Sequence, residues 1–189
     1  IRFAVNKLQA LEMMAPLGVS TVPFTINIPQ ALAWRNGGHT VMCRLNLRGM
    51  KGEGIYVAYG TRSLPDAPLY TRFIPDCREF RIHVFQDRAI AMQEKLQKHG
   101  VKCDPYVRSE ENGWVFARKN IHVPHKVIQE AIKAIEALGL DFGGVDVLYC
   151  NVKDRAYILE VNTAPGIGVD VAGYGREAYT EAFKTVIEG

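Results

Sequence analysis

The sequence predicts an α+β protein arranged as two lobes. Three observations carry that expectation. Short strand-like runs recur at residues 40–47, 55–58, 69–74, 79–85 and 114–120, several of them alternating apolar and polar side chains. Residues 127–138 instead place Val127, Ile128, Ala131, Ile132, Ile135 and Leu138 at the spacing of one helix face, with Gly139 as the stop. Residues 63–68 are polar, include Pro65 and Pro68, and read as a linker. The expected division is an N-terminal helix at 1–18, a small lobe at 19–68 and a large lobe at 69–189.

Composition sets the outer limits. The chain has 189 residues, 48% hydrophobic and 23% charged, enough for one good core or two small ones. A net charge of +3 is too small to argue for nucleic acid or a membrane surface. No apolar run reaches the roughly 18 residues of a membrane span, and no signal peptide is visible. The chain begins at Ile1, which leaves an upstream domain open. Cys43, Cys77, Cys103 and Cys150 show no zinc-like C-x-x-C spacing, and Cys43 and Cys150 sit in apolar runs as small hydrophobes. Free thiols in a reducing, cytoplasmic setting are the expectation.

In chain order, Asn6 can cap a helix over 7–17 that carries Leu8, Leu11 and Met14 along one side and stops at Gly18. Residues 19–26 make a short strand interrupted by Pro23. Pro29 suits the first turn of a helix over 30–35, closed by Gly37 and Gly38. In the strand at 40–47, Val41, Cys43 and Leu45 share one face, so Arg44 points to the other. The loop Arg48-Gly49-Met50-Lys51-Gly52-Glu53-Gly54 then leads into the strand at 55–58. Glycine allows close approach and unusual dihedrals, so such a flap can lay backbone N–H groups against phosphates, helped by Lys51 and Arg44. Its spacing matches neither the P-loop nor the dinucleotide fingerprint, and a plain flexible hairpin turn is the alternative.

Along 79–85, Phe80, Ile82 and Val84 face a core, while Glu79, Arg81 and His83 face away. With Glu94 and Lys95 on the next strand these can line a charged cleft; a solvated sheet face with surface ion pairs is the alternative, and the better reading of His83. Residues 98–113 are polar and irregular and read as a mobile loop. The last helix, over 177–187, is expected to turn Ala178, Phe183 and Ile187 inward.

The most informative stretch is 143–166. It reads as two strands around the polar turn 151–155, apolar at Val145, Val147, Ile158 and Val161. With the turn centred on Lys153, Asp146 lies opposite Glu160, and Asn162 shares their face. Opposed carboxylates repel unless something positive lies between them. Three oxygen donors on one face suit a hard cation such as Mg²⁺, which binds through few carboxylates plus substrate phosphates. The alternative is the exposed polar face of an ordinary hairpin.

Taken together, these segments resemble the ATP-grasp superfamily, over most of the chain from about residue 19 onward. Leu140-Asp141-Phe142-Gly143-Gly144-Val145-Asp146-Val147 and Leu159-Glu160-Val161-Asn162-Thr163-Ala164-Pro165-Gly166 resemble its two metal-binding segments. Ala117-Arg118-Lys119-Asn120-Ile121-His122 resembles the R-x-N-L-H segment of the glutamate ligases that modify a ribosomal protein, and Glu79-Phe80-Arg81 resembles the acidic-x-Arg strand beyond the adenine hinge. Short ATP-grasp proteins of phage genomes are similar in feel, which would place the chain in a host cytoplasm.

The resemblance implies ATP between two α+β lobes, with Mg²⁺ (or Mn²⁺) at Asp146, Glu160 and Asn162. It implies phosphate and acyl-intermediate contacts at Arg118 and Asn120, and phosphate or substrate contact at Arg81. It further implies a flap closing through Gly52 and Gly54 with Arg44 and Lys51 near the phosphates, adenine along Arg72, Phe73 and Ile74, ribose at Glu79, and a basic neighbour at Lys95. Arg44 stands where the family usually has lysine, and offers a planar fork in place of a point charge. The expected reaction joins a small-molecule or peptide carboxylate to an amine through an acyl phosphate. Phosphoryl transfer to a hydroxyl, or nucleotide binding without turnover, are the rival readings. No nucleic-acid or membrane partner is expected, and a homodimer is left open.

Overall fold

The computed structural model describes residues 4–48, 52–166 and 175–188. The first helix, α1 (Lys7–Met14), starts where Asn6 accepts hydrogen bonds from the Leu8 and Gln9 N–H groups at 3.1 and 3.3 Å. A 3₁₀ turn follows and ends at Gly18, whose φ of 77° suits glycine. Residues 19–26 are less regular than expected: only β1 (Phe24–Thr25) pairs as a strand, while Thr21 makes a single bridge to Ile158. The second helix, α2 (Ile28–Asn36), begins earlier than Pro29 alone implies, because the Asn27 side chain caps it through the Gln30 N–H.

Four short strands form the small sheet. They are β1, β2 (Val41–Arg44), β3 (Ile55–Ala58) and β4 (Leu69–Arg72), in the order β1-β4-β2-β3. The strand β4, expected in the large lobe, therefore pairs in the small one. Its Tyr70 packs with Val41, Cys43 and Ala58, and the Tyr70 hydroxyl donates to the Pro65 carbonyl at 2.9 Å. The apolar contact outweighs the proline punctuation before it. Leu45, expected on the buried face of β2, lies beyond the strand and is half exposed.

The large sheet contains β5 (Arg78–Phe85), β6 (Arg88–Gln97), β7 (Trp114–Ala117), β8 (Phe142–Cys150) and β9 (Arg155–Asn162), in the order β7-β6-β5-β8-β9. Phe80, Ile82, Val84, Val145 and Val147 meet Val127, Ala131, Ala134 and Ile135 of α3 (His125–Ala137). Leu11 and Met14 of α1 join that same core, so the N-terminal helix packs as part of the large lobe. Gly143 permits the close approach of α3, since a Cβ there would lie 2.8 Å from Ile135 Cδ1.

The pairing of β8 with β9 matches Gly144 with Asn162, Val145 with Val161 and Asp146 with Glu160. Nearer the turn, Val147 faces Ile158 and Cys150 faces Arg155, one residue off a register centred on Lys153. Leu159 is the extra residue that absorbs the difference, as in a β-bulge.

Two further expectations are corrected. In α4 (Gly175–Ile187), Tyr179 and Ala182 turn inward; Ala178 is half-buried, Phe183 is half exposed beside Phe85 and Phe142, and Ile187 is exposed. The contact of Tyr179 with His83 fixes this phase. Cys77 and Cys150 form a disulfide, leaving Cys43 and Cys103 free. Arg78 pairs with Tyr149, so the next residues outward on β5 and β8 face each other. Residues 98–113 form the expected loop, which folds back on itself: the Asp104 side chain accepts from the Tyr106 and Val107 N–H groups at 2.7 and 3.0 Å, and the Asp104 carbonyl accepts from Trp114 Nε1 at 2.8 Å. No helix among the described residues is long and apolar enough to cross a membrane.

Candidate active site

A cavity of about 870 Å³ lies between the two sheets. Its floor is a row of charged residues across three adjacent strands. Arg81 on β5 sits opposite Asp146 on β8, which sits opposite Glu160 on β9. Arg81 holds Asp146 with both arms of its guanidinium, Nε to Oδ1 and NH2 to Oδ2, each at 2.7 Å. Such a fork fixes orientation as well as charge. Lys7, in the first turn of α1, reaches Glu160 at 3.2 Å. The two opposed carboxylates are thus each met by a cation, which removes the repulsion their register would otherwise impose.

A second row lies beside the first. Lys95 on β6 donates to Glu79 on β5 at 2.5 Å, and Arg108 stands 3.6 Å from the other Glu79 oxygen. Burial pushes the Glu79 carboxyl above its usual range, against the pull of Lys95. Burial also disfavours the charge on Arg81, but Asp146, then Glu160 and Glu79, hold its pKa above that of an ordinary guanidinium. Arg44 reaches the cavity from the small sheet; burial lowers its pKa, with Glu160 and Glu79 acting the other way. At the far end Val22, Ile74, Leu148 and Leu159 make an apolar wall. One end of the cavity therefore suits a flat apolar ring and the other a cluster of negative charge.

The structure brings most of the predicted site residues to this cavity. Arg44, Gly52, Arg72, Phe73, Ile74, Glu79, Arg81, Lys95, Arg118, Asp146, Glu160 and Asn162 all line it. Gly54 does not. Its φ of 69° turns the chain against Asn46, whose Cβ would lie 2.8 Å from an added Cβ. Asn120 is exposed in the turn after Arg118, at a φ of 56°, and is not a wall of the cavity. Lys51 lies outside the described residues. His83 is 1% exposed rather than solvated, with Nδ1 3.2 Å from the Tyr179 hydroxyl. Burial, then Arg81, pushes its pKa down to about 4.

Sequence reasoning missed Lys7 and the segment 104–109, which contributes Tyr106, Val107 and Arg108 to the walls. Lys7 adjoins a helix cap and carries no local mark of function. The polar, irregular composition of 98–113 signalled only a loop.

Among the described residues no group of three acidic, histidine or cysteine side chains is arranged to hold a metal ion. Asp146, Glu160 and Asn162 nevertheless offer two carboxylates and an amide oxygen on one wall, while the buried Asn162 Nδ2, a donor with no hydrogen-bond partner among the described residues, suits an acceptor such as a phosphate oxygen. These donor types fit a Mg²⁺ that arrives with a triphosphate, provided Arg81 yields part of Asp146.

No family model matches the chain. It is 24% identical over 190 residues to a protein of Pasteurella multocida named probable alpha-L-glutamate ligase, covering 89% of this chain and 58% of that protein. The chain thus spans somewhat under two thirds of that relative's length. Its structure resembles D-alanine–D-alanine ligase of Bacillus anthracis at a TM-score of 0.70 and 15% identity, over 98% of this chain and 67% of that one. That enzyme has also been solved with ATP. The ATP-grasp ligase PsnB, solved with a minimal precursor, matches at a TM-score of 0.66 and 13% identity, over 98% and 61% of the two chains.

Proposed function

We propose that this chain, whose fold is that of the ATP-grasp ligases, is an ATP-dependent enzyme joining a carboxylate to an amine. The observation that carries the reading is the row Arg81–Asp146–Glu160 on the floor of an 870 Å³ cavity whose other end is apolar. The apolar wall of Val22, Ile74, Leu148 and Leu159 takes the base, with Phe73 beside it. Glu79 accepts from ribose hydroxyls. Arg44, Lys7 and Lys95 face the phosphates.

Joining a carboxylate to a triphosphate brings like charges together, so positive groups and positioning supply most of the rate. A substrate carboxylate oxygen attacks the γ-phosphorus, the bond to the β-bridging oxygen breaks, and ADP leaves an acyl phosphate behind. The amine nitrogen then attacks the acyl carbon, phosphate departs with the carbon–oxygen electron pair, and the amine proton passes to solvent or phosphate. Arg81 and Arg118 stabilise the developing charge of both steps. Asp146, Glu160 and Asn162 would hold Mg²⁺, which when bound neutralises phosphate charge. Glutamate and peptides are the first substrates to test, given the names of the relative and of the PsnB complex. The decisive experiment measures ADP release with Mg²⁺ over a panel of amino acids and short peptides, with mass analysis of products. A new amide formed in step with ADP supports the reading. Release that needs only a hydroxyl acceptor and yields a phosphate ester would overturn it.

A further inference from the structure

A second cavity, of about 330 Å³, shares Arg118 with the first. Its origin lies in the unequal length of two paired strands. β7 pairs with β6 only over Glu94 to Gln97, and Ala117, its last residue, faces Glu94. Among the described residues no strand therefore lies beside residues 90–92 of β6 on that side. Beyond Ala117 the chain turns away, with Asn120 at a φ of 56°. Arg78 NH2 on β5 donates to the His122 carbonyl at 2.8 Å and pins this turn. Glu94 in turn accepts from Nε and NH2 of Arg78 at 2.7 and 2.8 Å, so the anchor is itself held. The gap is walled by Ile90 and Met92 of β6, Ile121 and Val123 of the turn, and Ile128 of α3. All five are half-buried. Arg118 is the one charged side chain on the border of this cavity among the described residues.

We propose that this second cavity receives an apolar side chain of the substrate whose carboxylate is activated. The acid partner is then a peptide or amino acid with an aliphatic or aromatic residue next to its reacting carboxyl group. The proposal rests on the reading of the chain as a carboxylate–amine ligase with Arg118 at the reacting group. A guanidinium offers a fork of donors that matches a carboxylate. Arg118 stands where the charged cavity and the apolar one meet. A carboxylate held there leaves the substituent on its α-carbon at the mouth of the apolar cavity. An apolar substituent gains by leaving water, whereas a second carboxylate would be stripped of water among Ile, Met and Val side chains. The volume is at the low end for ligand cavities and suits one side chain rather than a whole ligand.

The test uses the whole chain with Mg²⁺, ATP and the peptides N-acetyl-Ala-Ala-X, where X is Gly, Leu or Glu. Hydroxylamine stands in for the amine. Its nitrogen attacks the acyl carbon, phosphate departs with the carbon–oxygen electron pair, and a nitrogen proton passes to solvent or phosphate. The hydroxamate left behind is read by its iron(III) colour and by mass, beside ADP release. The Leu peptide should exceed the Gly and Glu peptides in kcat/KM about tenfold or more, the worth of filling an apolar pocket. Ile121→Ala should lower the Leu-to-Gly ratio about threefold or more. Ile121→Lys should lower the rate with Leu about tenfold and raise that with Glu, which a merely structural role would not do. Should Ile121→Lys fail to fold, Ile121→Ala carries the test. Equal rates with the three peptides, a preference for Glu in the wild-type chain, or a uniform loss in the variants would overturn the apolar pocket while leaving the ligase reading intact. A wild-type chain that yields neither hydroxamate nor ADP with any of the peptides would overturn that reading, and the pocket with it.

Discussion

Asp146 is 5% exposed, and both of its carboxylate oxygens are taken by Arg81. Replacing it with asparagine, near in size, removes the charge and leaves a partly buried guanidinium with half its anchorage. We expect Asp146→Asn to cost about 2 kcal/mol in a denaturant titration and to lower ATP turnover about a hundredfold. Undiminished Mg²⁺-dependent turnover would remove Asp146 from the chemistry. His83 makes a separate prediction through its proton. In the unfolded chain an imidazole titrates near 6.5, whereas burial, then Arg81, holds the folded group at about 4. Between those values the unfolded state binds the extra proton, so stability is whole above about pH 6.5 and falls as the pH drops toward 4. The loss over that window is about 3 kcal/mol. His83→Gln should flatten the slope of unfolding free energy between pH 6.5 and 4; an unchanged slope would assign it to other groups.

At the scale of elements, the β8–β9 hairpin and α3 are locked together by glycine. A methyl group at Gly143 would meet Ile135 Cδ1 at 2.8 Å and the Asn162 carbonyl at 3.1 Å. Gly143→Ala should destabilise by about 1–3 kcal/mol, the usual range for overpacking, and because Asn162 borders the cavity it should also weaken Mg²⁺–ATP binding in calorimetry. Stability equal to wild type would show that α3 can shift freely. The hairpin is also where the sequence was most legible. Its two-residue alternation and polar intrusions at Asp146, Glu160 and Asn162 are local signals, and so are the periodicity of α3 and the Asn6 cap. The inward face of α4 was misjudged because apolar residues occur all round it, and the choice of Tyr179 over Phe183 depends on His83, 96 residues away. Local pattern names an element; its orientation can depend on a distant partner.

For the molecule as a whole, the features hidden from the sequence are those that join distant parts. Cys77 and Cys150 are separated by 73 residues and meet only because β5 and β8 are neighbours. The bridge ties the start of β5, just past the segment joining the lobes, to the end of β8. A loop of that length suggests about 4 kcal/mol from restriction of the unfolded chain. Reduction, or the double substitution Cys77→Ser and Cys150→Ser, should lower the denaturant midpoint accordingly, and thiol counting of the unfolded oxidised protein should find Cys43 and Cys103 alone. Four reactive thiols in unreduced, unfolded protein would show that the bridge is not formed. Lys7 was invisible for a related reason: its role exists only once α1 is laid against β9.

The extra residue in β9 has a wider consequence. A regular strand shows alternate residues to opposite sides, so an apolar side chain and an acid in succession would be parted by the sheet. At Leu159 the chain slips by half a period, and Leu159 and Glu160 both reach the cavity, one toward its greasy end and the other toward its charged end. The slip splits β9 into two phases of opposite parity. Its first half keeps Ile158 in the core, and its second keeps Val161 there while offering Glu160 and Asn162. Deleting this single residue would force one half to invert, so no conservative exchange of side chains could repair the site. Its function depends on a residue count as much as on residue identity.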